Sequence, residues 1–258
     1  MKRLWLGAAS LLFNIGFYAA TTFYSLWGYV DLRRGRADRL ILRGRAWARV
    51  VIRLLRICCG IEVRVSGLEN LPVDGPVLIA STHQSAFDTA VWMLLPRPSY
   101  VLKKELLKVP VFGGLMQPSG MIAVDRSAGA RAIRDLIRDG QAAAADSRQV
   151  VIFPQGTRAG PGEPRVIQPG VAALAGAMGV PVVPVVTDSG AHWGRNSFLK
   201  RPGTIHIVIG KPLPAGLARA ALVGALDAAW AELEDNMNSA VDKIVYESVS
   251  VFDSRTSD

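Results

Sequence analysis

Three regimes of hydrophobic patterning divide this chain. Residues 4–30 form a run of 27 without a formal charge. As an α-helix at ~1.5 Å per residue the run is about 40 Å long, more than a ~30 Å hydrocarbon core requires. It exceeds the ~7–15-residue apolar region of a secretory signal, and it ends in aromatics and arginines rather than at a small-residue cleavage site. Trp5 near one end, and Tyr24, Trp27 and Tyr29 near the other, resemble interfacial belts, so the pattern predicts a retained membrane helix. The second regime, residues 36–57, is amphipathic. Leu40, Ile41, Trp47, Val50, Val51, Leu54 and Leu55 recur at helical spacing, between Arg36, Arg39, Arg43, Arg45, Arg49, Arg53 and Arg56. Such a helix suits the headgroup level, apolar stripe toward lipid and arginines on phosphates. The same pattern also fits a cationic face packed on a domain behind it.

From Gly60 onward the period changes. Short apolar runs at residues 61–65, 77–81, 100–102, 150–153, 181–186 and 205–209 predict strands. Several are continuously apolar, as in strands buried on both faces of a sheet. Helical stretches are predicted near 88–95, 128–146, 168–178 and about 215–246. This alternation predicts an α/β fold with a mixed, mostly parallel sheet flanked by helices. The organisation expected is a membrane-associated two-helix element over residues 1–58 and an α/β domain over 59–258. The tail after Phe252 is expected to fray.

Composition sharpens the picture of a surface-bound protein. Among 258 residues half are hydrophobic, and the formal charge is +9. Mean hydropathy is +0.25. A cationic balance favours an anionic membrane, an acidic small molecule or nucleic acid. Nucleic acid fits poorly, because Trp47 is the lone stacking residue inside the arginine-rich segment. More arginine follows the first apolar run (Arg33, Arg34, Arg36) than precedes it (Lys2, Arg3), which predicts a cytoplasmic domain on the inner membrane. Cys58 and Cys59 are adjacent, a geometry that disfavours an ordinary disulfide. The three histidines, His83, His192 and His206, lack metal-ligand spacing, so no metal is expected and the latter two read as structural.

Two blocks carry chemistry. In Thr82-His83-Gln84-Ser85-Ala86-Phe87-Asp88, the histidine and aspartate are five positions apart, roughly 140° around an ideal helix, and cannot share a helical face. A turn after the 77–81 strand suits His83, and the first helical turn suits Asp88, with Ser85 as N-cap of a capping box. The chain then folds back so that the carboxylate can orient one imidazole nitrogen and leave the other as a base. The plain alternative is a helix cap beside an ordinary loop histidine. The second block, Phe153-Pro154-Gln155-Gly156-Thr157-Arg158, follows a strand and suits an anion cradle. Further cations stand at Lys103, Lys104 and Arg126, the last within Gly120-Met121-Ile122-Ala123-Val124-Asp125-Arg126. No Gly-x-Ser-x-Gly elbow is present, which argues against a lipase-like hydrolase.

In order and spacing these blocks resemble the glycerolipid acyltransferase family, and within it 1-acylglycerol-3-phosphate acyltransferases of bacterial type. The first motif, Asn-His-x4-Asp, is met with Thr82 in place of Asn; the second, ending in Asp-Arg, by Gly120 to Arg126. The third, Phe-Pro-Glu-Gly-Thr-Arg, is met with Gln155 in place of Glu, and Val180-Pro181-Val182-Val183-Pro184-Val185 looks like the apolar fourth. The resemblance covers about residues 60–215. It implies acyl transfer from acyl-CoA or acyl carrier protein to the sn-2 hydroxyl of 1-acylglycerol-3-phosphate, with no cofactor. His83 and Asp88 would be catalytic. Lys103, Lys104, Arg126, Gly156, Thr157 and Arg158 would bind the substrate phosphate, and Gln84, Ser85 and Gln155 would complete the motifs. Lyso-ornithine lipid, another lysolipid or glycerol-3-phosphate remains an alternative acceptor, and a non-catalytic lipid-binding module is the rival class. Gln155 retains hydrogen-bonding capacity but cannot act as a base or neutralise an arginine.

Overall fold

The computed structural model describes residues 2–160, 162–163, 166–239, 247–249 and 252. Two helices open the chain, α1 (Lys2–Arg33) and α2 (Leu40–Cys59). There follow β1 (Ile61–Ser66), β2 (Val77–Ser81), α3 (Phe87–Val91), β3 (Pro98–Lys103), α4 (Gly113–Met116), β4 (Ile122–Val124), α5 (Ala130–Ala145) and β5 (Gln149–Ile152). The remaining elements are α6 (Gly170–Met178), β6 (Val182–Thr187), α7 (Ser189–His192), β7 (Gly203–Ile209), α8 (Arg219–Ser239) and β8 (Glu247–Ser248).

Among the described residues the strands form one sheet in the order β4-β3-β5-β2-β6-β7-β1-β8. The first five are mutually parallel, β7 and β1 are parallel to each other, and β6–β7 and β1–β8 pair antiparallel. This is the expected mixed, mostly parallel sheet. Alternation along its central strands supplies two cores. Val77, Ile79, Val151, Val183 and Val185 pack with Leu55, Phe87 and Trp92 on one face. Leu78, Ala80, Val150, Ile152, Val182 and Val186 pack with Leu136, Leu174, Leu226 and Trp230 on the other. Successive strand side chains point to opposite faces, so continuously apolar runs are what a doubly covered sheet needs.

The element boundaries differ from the sequence reading where runs are short or tertiary contacts decide. β4 is only three residues long and β8 two, below what periodicity can register. The helix expected over 88–95 is split into α3 and a 3₁₀ turn, Trp92–Leu94. α8 is described to Ser239; residues 240–246 of the expected helix and the tail 253–258 lie outside the described residues.

The larger correction concerns α2. Its stripe of Leu40, Ala48, Val51 and Leu55 is buried, and all but Leu40 lie in the core cluster that covers one sheet face. Of the two readings of this amphipathic segment, packing on the domain is therefore the one adopted, and the stripe does not face lipid. Arg45, expected among the exposed charges, is buried too, and its Nη2 donates to the carbonyls of Leu95 and Pro96 at 3.1 and 2.9 Å. Burial of Leu40, Val51 and Leu55 contributes on the order of 1.5–3 kcal/mol each. α1 lies along α2 and is fastened at points spread over its length. Lys200 N–H donates to Ser10 Oγ (2.9 Å) and its ammonium to Asn14 Oδ1 (2.7 Å). Trp47 Nε1 donates to Thr21 Oγ1 (3.0 Å), and Arg43 pairs with Asp31 (2.7 Å).

Candidate active site

Parallel strands deliver their following turns to one edge of a sheet, and here that edge gathers both chemical blocks. Across it stand Asp125 and Arg126 after β4, Lys103 and Lys104 at the end of β3, the Gln155–Arg158 turn after β5, His83 after β2, and Ser189 after β6. Blocks some 70 residues apart become neighbours because β2 pairs directly with β5.

His83 Nδ1 lies 2.9 Å from Asp88 Oδ2. The same oxygen accepts the backbone N–H groups of Gln84 (2.8 Å) and Ser85 (2.9 Å), while Ser85 Oγ accepts from Phe87 N–H (3.1 Å). The N-cap of α3 is Ala86 rather than the expected Ser85, and Ser85 Oγ bonds Phe87 N–H instead of Asp88 N–H, so only the back-contact from Asp88 to Ser85 N–H forms. The same carboxylate, 1% exposed, holds that turn and the imidazole. Among the described residues no protein group hydrogen-bonds His83 Nε2. The Phe153 ring stacks on the imidazole at 4.1 Å between centroids, with Tyr100 stacked behind it at 6.5 Å. Burial, and to a lesser degree the Asp88 charge, pushes the Tyr100 phenol well above its ordinary range, and its hydroxyl donates to Thr89 O at 2.8 Å. Tyr100 is therefore a fixed neutral wall.

The third block grips the histidine's backbone from both sides. Gln155 Oε1 accepts His83 N–H at 2.7 Å, and Ala159 N–H donates to His83 O at 2.9 Å. Gly156 turns with φ +75, a region that favours glycine, and a Cβ there would stand 2.8 Å from Arg126 Nη1. The Arg126 guanidinium in turn donates to Gly156 O at 2.6 Å, so the two cation-bearing blocks touch. Arg158 is half-buried; burial lowers its proton affinity, the Asp88 charge opposes that shift, and Arg195 adds to it. Thr157, Lys103 and Arg126 are exposed at the rim. Lys104 reaches Asp125 at 3.4 Å rather than standing alone. Ser127 donates to Asp125 through both its hydroxyl and its N–H, and with Lys104 these bonds hold the carboxyl below its usual range.

The start of α7, outside the motif blocks, completes the cluster. Gly190 N–H donates to Gln84 Oε1 at 3.0 Å, an approach so close that a Cβ on Gly190 would meet that oxygen at 2.8 Å. Thr187 N–H donates to Thr82 Oγ1 at 3.1 Å. His206, read as structural, has its Nδ1 2.8 Å from Asp188 Oδ2, and His192 Nδ1 lies 3.0 Å from Arg201 O. A signal existed in Thr187-Asp188-Ser189-Gly190, a polar run closing a buried parallel strand, where such sheets place their sites.

Residues 62–188 match the Acyltransferase family. The chain is 39% identical over 170 residues to a 1-acyl-sn-glycerol-3-phosphate acyltransferase of Pseudomonas aeruginosa, 66% of each chain. Identity is 32% over 148 residues to the enzyme of that name from Saccharomyces cerevisiae, covering 55% of this chain and 48% of the yeast protein. It is 32% over 143 residues to 1-acyl-sn-glycerol-3-phosphate acyltransferase alpha of Homo sapiens, covering 55% and 50%. The matched region is thus 66% of the bacterial relative and about half of the other two. In fold, the chain resembles the crystal structure of the 1-acyl-sn-glycerophosphate (LPA) acyltransferase PlsC from Thermotoga maritima, with a TM-score of 0.71 over 88% of this chain and 95% of that one, at 22% identity.

Proposed function

This chain belongs to the Acyltransferase family through residues 62–188, and on that footing we propose that it is an O-acyltransferase that moves a fatty acyl group from acyl-CoA or acyl carrier protein to the sn-2 hydroxyl of 1-acylglycerol-3-phosphate, giving phosphatidic acid. The observation that carries the proposal is the His83–Asp88 pair, 2.9 Å apart, on the strand edge shared with Arg126 and Arg158. With Asp88 ionised, Nδ1 carries the proton and Nε2 is the base. Nε2 takes the acceptor's hydroxyl proton while that oxygen attacks the thioester carbonyl. The C–S bond breaks, the thiolate leaves, and the imidazolium returns the proton to it. Asp88 holds the tautomer and stabilises the cationic ring; neither cysteine is needed for a covalent acyl intermediate. Arg126, Arg158, Lys103 and Lys104 bind the acceptor phosphate, with Gly156 and Thr157 as neutral donors.

The two-helix element at residues 1–58 is the membrane-associated part, on the cytoplasmic leaflet of the inner membrane. α1 is long and apolar enough to cross a bilayer. Its fastening to Lys200, Trp47 and Arg43 along one side supports a different use, in which the free apolar side enters one leaflet. The exposed arginines of α2, Arg53 and Arg56, suit lipid phosphates there.

The test is an acyl-transfer assay on lipid-reconstituted protein, with lysophosphatidic acid beside lyso-ornithine lipid and both thioester donors. Wild-type protein is expected to acylate lysophosphatidic acid preferentially, and His83→Ala to lose transfer by ~10²–10⁴-fold, the span of general-base contributions. Retained turnover in His83→Ala rejects the base assignment. Preference for lyso-ornithine lipid rejects the acceptor.

A further inference from the structure

Asp88 has two carboxylate oxygens, and only one of them belongs to the local turn. Oδ2 takes three donors from residues 83–85, including the imidazole. Among the described residues Oδ1 accepts a single hydrogen bond, from the hydroxyl of Ser189 at 2.6 Å, a residue 101 positions away. Ser189 is 0% exposed and Asp88 1% exposed, so bulk water has no access to replace that donor. A short hydroxyl–carboxylate bond in such a place is charge-assisted and stronger than a neutral one.

The serine is itself pinned. Its N–H donates to Thr187 Oγ1 at 3.2 Å, and Thr82 N–H donates to Val185 O at 2.9 Å, tying the His83 turn to β6. The Gly190–Gln84 and Thr187–Thr82 bonds add two further ties between the same segments. On the far side, Asp188 accepts His206 N–H at 2.7 Å as well as facing its ring, which anchors the start of α7 to β7. The hydroxyl is therefore aimed from a rigid base rather than brushing the carboxylate by chance.

We infer that Ser189 is a positioning residue for the proposed acyl transfer, acting as the second grip on Asp88 that fixes the carboxylate plane and, through it, the His83 ring. The physical reason lies in the aspartate's terminal torsion, which is broad and roughly two-fold rather than staggered. Donors on Oδ2 alone restrain that torsion through one oxygen only. A donor on Oδ1, delivered from another strand, closes a fork that holds both oxygens. It also satisfies a buried carboxylate oxygen whose loss of its donor would leave it unpaired.

This inference rests on the His83 base reading, and the experiment separates the two. Ser189→Ala, Ser189→Cys and Ser189→Thr are assayed with His83→Ala in parallel, after circular dichroism and thermal melts establish folding. Ser189→Ala is expected to lower kcat by roughly 10- to 100-fold, the range for a hydrogen bond to a charged group. KM for donor and acceptor should stay within about threefold, since the serine touches neither substrate. Ser189→Cys keeps the volume with a weak donor and should be slow as well, while Ser189→Thr keeps a hydroxyl and should recover most of the rate. Wild-type kcat in folded Ser189→Ala or Ser189→Cys overturns the inference, and so does a folded Ser189→Thr as slow as the alanine form. If either of the first two variants fails to fold, the other decides. If His83→Ala is inactive while Ser189→Ala is fully active, only the serine's role falls. If His83→Ala stays active, the base reading falls with it.

Discussion

Gln155 stands where a carboxylate is usual in this motif, and its observed contact explains why an amide can serve. Its Oε1 accepts the His83 N–H at 2.7 Å, a task that needs a lone pair at one position but no negative charge. Gln155→Glu keeps that acceptor and adds a charge near Arg158, so kcat/KM for lysophosphatidic acid should stay within roughly tenfold of wild type. Gln155→Ala orphans a partly buried N–H beside the His83 ring. That change should cost about 1–3 kcal/mol, seen as a lower melting temperature and a fall in kcat of roughly tenfold or more. Equal activity in Gln155→Ala and wild type would remove the amide from the site's machinery. At this scale the sequence was unevenly legible. The His83–Asp88 fold-back follows from a five-residue spacing and a local capping pattern. Ser189 does not: the polar run 187–190 marks the strand edge, but nothing local pairs the serine with a carboxylate 101 residues away.

At the scale of elements, amphipathicity was legible and its target was not. A stripe such as Leu40, Val51 and Leu55 has the same period whether it meets lipid or a sheet, and only the folded chain assigns it to the core. The consequence is that the α1–α2 pair is part of the domain's stability. Cys59 sits at the end of α2, fully buried, with its thiol directed at Ala9 O across the helix pair at 3.8 Å. Burial, with a smaller effect of Cys58, raises that thiol from 9.0 to about 11. In the unfolded chain the thiol ionises near its ordinary value, whereas the folded chain holds the proton longer. Its contribution is therefore fully present below pH 9.0 and is lost as pH rises toward about 11. Lys200 acts with opposite sign: burial lowers its ammonium, the unfolded chain keeps that proton longer, and the contribution grows with pH. Comparing melting temperature against pH for wild type and Cys59→Ala isolates the thiol. The wild-type curve is expected to fall more steeply between pH 9.0 and about 11, and parallel curves would rule the linkage out.

For the whole molecule, the sheet order explains why motifs scattered over 100 residues share an edge, and charge together with the apolar run pointed to a membrane. How the membrane is met depends on which side of α1 remains uncovered. At ~100° per residue, Leu4, Leu11, Ile15 and Leu26 fall within about 60° of one another, and they are 81%, 51%, 59% and 58% exposed. The opposite side is fastened from Ser10 to Asp31. Crossing the bilayer would require either dragging the polar domain into hydrocarbon or breaking those ties, including a buried Lys200 ammonium held by Asn14. Lying in one leaflet requires neither, and for the proposed reaction it keeps the domain at the surface where a lysolipid acceptor would reside. Fluorophores on Leu4→Cys, Ile15→Cys and Leu26→Cys, in a chain whose Cys58 and Cys59 are alanine, should be quenched by brominated lipids at one common depth. A helix crossing along the bilayer normal would set Ile15 about 16 Å deeper than either end, from 11 residues at ~1.5 Å each. A deep Ile15 between shallow ends would therefore mean that α1 leaves Lys200, Trp47 and Arg43 behind in the membrane. The melting temperature in vesicles should then drop below its value in detergent-free buffer, whereas a helix seated in one leaflet on its intact ties should raise it.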